Sequence, residues 1–157
     1  MTRIEPLAKH IERTVSGPLW HGPVLEYLLA DVTAEQAAAK PIAGAHSIWE
    51  LVLHIAAWAE ISRARIDGRA IADPPDEVNF PAVRDTSAAA WDAARDRLRE
   101  SHRDLAARVR QMDDAALDAR IEGLRYTTWI MLHGVVEHGT YHGGQIALLK
   151  KLATQQR

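Results

Sequence analysis

The stretch YTTWIMLHGVVEHGTYHGGQIALLKK, residues 126–151, constrains this chain more than any other. At about 100° per residue, Thr127, Met131, Val135, His142, Gln145 and Leu149 all fall within about 60° of His138 on a helical wheel. His138 and His142 are four residues apart, so their imidazoles stand one turn apart on one face. That face is the apolar stripe, the side a helix turns toward a core. Core-facing histidines need partners, and a metal ion suits two imidazoles at this spacing.

The rest of the chain is also helical in pattern, with no period-2 strand. Glu5 to Val15 predicts a first helix, broken at Ser16-Gly17-Pro18. Val24 to Ala30 resumes it, and Thr33 with Gln36 forms a capping box for a short turn through Ala39. Ser47 and Glu50 form a second capping box, opening a helix that runs to about Asp67 and stops at Gly68. Residues 69–86 hold Pro74, Pro75 and Pro81 and read as a long connection. Thr86 or Ser87 caps a third long helix to about Met112. One further turn is expected over Asp113 to Leu117, and the last helix is expected to run to about Leu152, with Ala153 to Arg157 frayed. Four main helices and one long crossover predict an all-α, four-helix bundle in a single domain over residues 1–157.

Charge narrows the function classes. The net charge is -2 with both signs interspersed, which argues against nucleic acid or an anionic membrane as the main partner. No apolar run approaches about 18 residues, so no membrane span is expected. The amphipathic, charged start of the chain is unlike a signal peptide, and a cytoplasmic protein is the default expectation. Cysteine is absent, so a metal site must draw on His, Asp, Glu or water, and any thiol must come from outside the chain.

His54 is the natural third ligand. It shares a helical face with Ser47, Glu50, Leu51, Trp58 and Ile61. His-x-x-x-His alone is a weak signal, but three histidines on the buried faces of two helices are a stronger one. Three neutral imidazoles with an open position make a catalytic type of site that suits zinc, nickel, copper or iron. Glu50, one turn before His54, has several roles open: the helix cap, a fourth ligand, an acceptor for an imidazole N–H, or a general base. Gln145, one turn past His142, is placed to bond a ligand or to bridge helices. His21, between Trp20 and Gly22-Pro23, is either a turn residue or a group at the site. His133 points away from the pair, His46 is local to its helix start, and His10 and His102 lie on charged segments expected to be solvated. The glycines at 139, 143 and 144 call for the close approach of another backbone, a dimer contact included. No Glu-x-x-His supports a di-iron carboxylate bundle, and no Gly-x-Ser-x-Gly supports a serine hydrolase.

Two stretches carry a family resemblance. His46-Ser47-Ile48-Trp49-Glu50-Leu51-Val52-Leu53-His54-Ile55-Ala56-Ala57-Trp58 and Glu137-His138-Gly139-Thr140-Tyr141-His142-Gly143-Gly144-Gln145-Ile146 resemble the second- and last-helix motifs of the DinB/YfiT-like superfamily. Trp20-His21-Gly22-Pro23 is similar to a feature of one branch. The resemblance implies an up-down-down-up bundle with the long connection between the second and third helices. It implies a divalent metal, usually zinc or nickel, on His54, His138 and His142, and often a homodimer. Some members use low-molecular-weight thiols in transferase or isomerase reactions and others are viewed as hydrolases. The expectation is therefore a metal-dependent, thiol-using S-transferase acting on a small-molecule electrophile. A metal-dependent hydrolase of amides or esters, or a metal- or ligand-binding stress protein, are the alternatives.

Overall fold

In the computed structural model, which describes residues 2–155, the chain forms helices α1 (Ile4–Ser16), α2 (Leu25–Leu29), α3 (Ala34–Ala38), α4 (Ile48–Ile66), α5 (Asp76–Asn79), α6 (Ala88–Arg110) and α7 (Thr128–Gln155). A 3-10 turn covers Asp114–Asp118, and no strand occurs among the described residues. Local chemistry sets most boundaries. The Thr33 and Ser47 side chains each accept a hydrogen bond from the backbone of the residue three further on, and Gln36 and Glu50 return the bond, so both capping boxes are complete. The Ser87 hydroxyl accepts from Ala90 N–H at the start of α6. Gly68, at φ +83°, provides the left-handed residue that ends α4.

Three expectations need revision. The last helix does not fray after Leu152 but continues to Gln155; the final two residues lie outside the described part. Its start is Thr128 rather than Tyr126, because the Tyr126 carbonyl accepts from Ile121 N–H and Thr127 bridges to Arg120. The connection after α4 is not wholly irregular: α5 forms behind Pro75, whose carbonyl accepts from Val78 and Asn79 N–H.

The long helices α1, α4, α6 and α7 make the bundle. Both α1 and α4 pack on α6 and on α7. Cross-helix pairs give the directions. Glu60–Arg97, Arg63–Asp104 and Asp67–Arg108 rise together, so α4 and α6 run the same way. Arg65–Tyr126 and His54–His138 run oppositely, so α4 and α7 are antiparallel. Arg3 lies over Trp129 and Thr14 touches Gly139, so α1 runs with α7. The parallel α4–α6 pair explains the long connection: after α4 the chain must travel back about 28 Å, the length of a helix of this size.

The core is divided. One apolar cluster holds Val15, Leu51, Val52, Ile55, Trp91, Leu98, Ile146 and Leu149. The other holds Leu7, Ile11, Ala59, Leu105, Val109, Met131, Leu132 and Val135. On α6 and α7 the switch between clusters brackets polar residues, His102 between Leu98 and Leu105 and His138 and His142 between Val135 and Ile146, and on α4 His54 lies within one turn of the switch, which falls between Ala56 and Ala59. The histidines thus sit at a polar waist in an otherwise apolar interior.

His102 departs from its expected exposure. It is 1% exposed rather than solvated, because α6 turns this residue inward despite its charged neighbours. Its Nδ1–H donates to the Leu98 carbonyl at 3.0 Å, and its Nε2 is buried with no partner. The glycine cluster also resolves within the chain. A Cβ on Gly139 would stand 2.5 Å from Thr14 Cγ2, and one on Gly143 3.4 Å from Leu25. Those two glycines let α1 and α2 close on α7, whereas Gly144 faces open space.

Candidate metal centre

The two helices expected to meet do meet at their histidines. His54 on α4 and His138 and His142 on α7 each offer a ring nitrogen, and the three nitrogens lie within 4.8 Å of one another. Nε2 of His138 is 2.9 Å from Nε2 of His54. The ring centroids are 4.4–4.8 Å apart. His54 and His142 are buried and His138 is partly so.

Hydrogen bonds on the far side of the rings fix which nitrogens converge. His54 Nδ1 is 2.6 Å from the Asn79 carbonyl oxygen. A carbonyl only accepts, so Nδ1 carries the proton and the Nε2 lone pair faces inward. His142 Nδ1 donates in the same way to Gln145 Oε1 at 2.6 Å. Phe80 stacks flat on the His54 ring at 3.9 Å, with His46 stacked on its other face. Such outer contacts orient metal-binding imidazoles and hold their tautomers.

The electrostatics favour neutral rings. Burial pushes the His138 imidazole down to about 3, with the neighbouring His142 and His54 adding to the effect. Burial also lowers His54 and His142. A neutral imidazole is a lone-pair donor, whereas three protonated rings at this spacing would repel. Three ring nitrogens within 4.8 Å of one another, with the His54 and His142 Nδ1 protons held on the outer side, make a donor set that suits a divalent metal. The residues present fit the group.

The remaining candidates fall elsewhere. Glu50 does not join the cluster. One carboxylate oxygen accepts from Ser47 N–H at 2.9 Å and the other from Lys40 Nζ at 2.8 Å, with His46 at 3.4 Å. Burial alone would raise its pKa, but the Lys40 ammonium and the Ser47 N–H outweigh that and hold the carboxyl low. Gln145 acts on His142 as an acceptor. His21 sits in the turn closed by the Leu19–Gly22 bridge, where Gly22 has φ +131°. It lines a different cavity, of about 350 Å³, with Thr14, Leu25, Gly139 and Gly143, on the other side of α7 from the histidines.

The three histidines close one side of a cavity of about 530 Å³. Trp58, Ile130, Met131, Val135, Tyr126 and Tyr141 supply its apolar walls, and Ser62, Arg65 and Asn79 its polar groups. Asn79 and Phe80 escaped sequence reasoning because they lie in the aperiodic connection after α4. Ser62 and Arg65 left a readable signal: they continue the His54–Trp58 face of α4, where polar side chains interrupt an apolar stripe.

No curated protein and no solved structure matches the chain. A family model described as the DinB superfamily matches residues 20–146, which covers α2 through the histidine pair of α7 and includes all three candidate ligands. The chain belongs to the DinB superfamily.

Proposed function

We propose that the protein is a metal-dependent enzyme that joins a low-molecular-weight thiol to a small electrophile. The observation that carries this reading is the pairing of three converging imidazole nitrogens with an apolar cavity whose lining holds no carboxylate. His54, His138 and His142 would hold a divalent metal, zinc or nickel. Such a metal supplies Lewis acidity when bound, lowering the pKa of a thiol or water beside it.

The chain's own residues do the rest. Asn79 and Gln145 keep the His54 and His142 protons on Nδ1, away from the cavity. Trp58, Met131 and Val135 give an acceptor an apolar wall beside the histidines. Hydrolysis of an amide needs a proton delivered to a poor leaving group, commonly by a carboxyl group. The carboxylate one turn from His54, Glu50, is committed to Ser47 and Lys40. Attack by a thiol on an electrophile needs only a deprotonated sulfur, and that favours transfer over hydrolysis.

Elemental analysis tests the site first. About one zinc or nickel per chain is expected in the purified protein, with loss in His54→Ala and His142→Ala and no loss of helical circular dichroism. Metal retained by either variant would remove the ligand assignment. The reaction is tested with an aryl chloride, with and without added thiol. Turnover that needs both metal and thiol supports the transferase, whereas ester or amide cleavage without thiol would replace it with a hydrolase.

A further inference from the structure

Arg65 is a buried cation with no carboxylate beside it among the described residues. It is 5% exposed, on the face of α4 that also carries His54, Trp58 and Ser62. Its Nε–H donates to the Ile71 carbonyl at 2.7 Å, Nη1 to the Tyr126 hydroxyl at 3.0 Å and Nη2 to the Ala72 carbonyl at 3.1 Å. All three acceptors are neutral, and no carboxylate among the described residues pairs with this guanidinium. Several more exposed arginines do have one: Arg97, Arg99, Arg108 and Arg110 each hold a glutamate or aspartate. A guanidinium has five N–H groups, so three bonds leave two. Holding the 71–72 segment accounts for two of those bonds but not for the missing counter-charge. The charge is met only by neutral acceptors and the face of the Trp58 ring, so a bound anion would meet no competing carboxylate there.

The cavity supplies more donors at that end. Ser62 Oγ is buried without a hydrogen-bond partner, on a residue 1% exposed, and Ser62 lines the same cavity as Arg65. The Tyr126 hydroxyl accepts from Arg65 and keeps its own O–H to donate. The Trp58 indole spans the distance to the histidines: its ring lies 5.4 Å from Arg65 Cζ, 5.9 Å from the His138 ring and 6.4 Å from the His54 ring. The indole N–H is already taken by Asn79 Oδ1, which fixes the ring as an apolar wall.

We propose that Arg65, Ser62 and the Tyr126 hydroxyl form an anion-binding end to the cavity, so that the electrophile is a small organic acid held by its carboxylate. Its body lies along Trp58 and its reactive atom faces His54, His138 and His142. The placement of the reactive atom rests on the proposed function; the carboxylate subsite does not need turnover and is measured separately.

The test uses benzoate, phenylacetate, phenylpropionate and phenylbutyrate, each beside its neutral primary amide, in equilibrium titrations of the 157-residue chain. At least one acid is expected to bind about tenfold more tightly than its amide, the scale of a hydrogen bond to a charged group. Arg65→Gln should abolish that preference by weakening the acid far more than the amide, Arg65→Lys should keep most of it, and Ser62→Ala should weaken it severalfold. If no acid outperforms its amide, the proposal is overturned. A preference that survives Arg65→Gln also overturns it, and would put the carboxylate at the histidines instead. Should Arg65→Gln not fold, the pair Ser62→Ala and Tyr126→Phe decides: a severalfold loss supports the subsite and an undiminished preference removes it. Metal content is measured on the same samples, so failure of the metal site and failure of the carboxylate subsite are read independently.

Discussion

Gln145 Oε1 accepts the Nδ1–H of His142 at 2.6 Å, and this single contact decides which nitrogen of that ring faces His54 and His138. Removing an acceptor behind a metal-binding imidazole typically weakens metal affinity by 10–100-fold, because the tautomer and ring angle are no longer held. Gln145→Leu is therefore expected to lose metal affinity on about that scale in a chelator competition, with unchanged helical content. Gln145→Glu retains the acceptor and should retain the affinity. Equal affinity in wild type and Gln145→Leu would mean that the His142 ring is held by packing alone. Gln145 was legible in the sequence as a polar interruption of an apolar stripe. Asn79 was not, because its backbone carbonyl, the group that holds His54, carries no side-chain signature.

Two of the three candidate ligands stand on α7, and its approach to α1 depends on Gly139. Gly139 lets Thr14 of α1 press against the helix backbone, and His138 is the next residue along the chain. Gly139→Ala puts a methyl group 2.5 Å from Thr14 Cγ2, which requires the helices to separate. Overpacking of this kind costs roughly 1–3 kcal/mol, even though alanine is the better helix former. Urea denaturation should show that loss, and Thr14→Ser, which deletes Cγ2 but keeps the hydroxyl on the His10 carbonyl, should restore most of it. A fully stable Gly139→Ala would show that α1 yields freely. Helix boundaries at this scale were well marked by sequence, since the Ser47 and Thr33 caps and Gly68 act through bonds within four residues. Glu50 shows the limit of that reading. Its position on the His54 face suited several roles, and only the approach of Lys40 from the preceding loop committed both oxygens.

Across the whole molecule, four imidazoles occupy the waist between two apolar clusters, and that couples stability to pH. Burial holds His102 down to about 4 and His138 down to about 3, and lowers His54 and His142 as well. In the unfolded chain each returns to the ordinary imidazole value of 6.5. Between those limits the unfolded state binds more protons, so stability rises with pH. The contribution is fully present above about 6.5 and is lost as pH falls toward the low folded-state values. His102→Leu should flatten this acid limb in urea melts of the metal-free protein. It should also add about 1 kcal/mol at neutral pH by removing a buried Nε2 that has no partner. An unchanged slope would place the acid sensitivity in the other three rings.

The sequence by itself determined what local physics controls. Helical periodicity, capping boxes and turn glycines set the elements, and the faces of α4 and α7 carried His54, His138 and His142 inward as a set. Tertiary structure decided what depends on residues far apart in the chain. It buried His102, put His21 in a separate cavity, engaged Glu50 with Lys40, and left Arg65 and Ser62 beside the histidine cavity with no carboxylate partner among the described residues. Periodicity gives the direction in which a side chain points, whereas its partner is set by whichever element packs opposite, and that follows only from the arrangement of the four long helices.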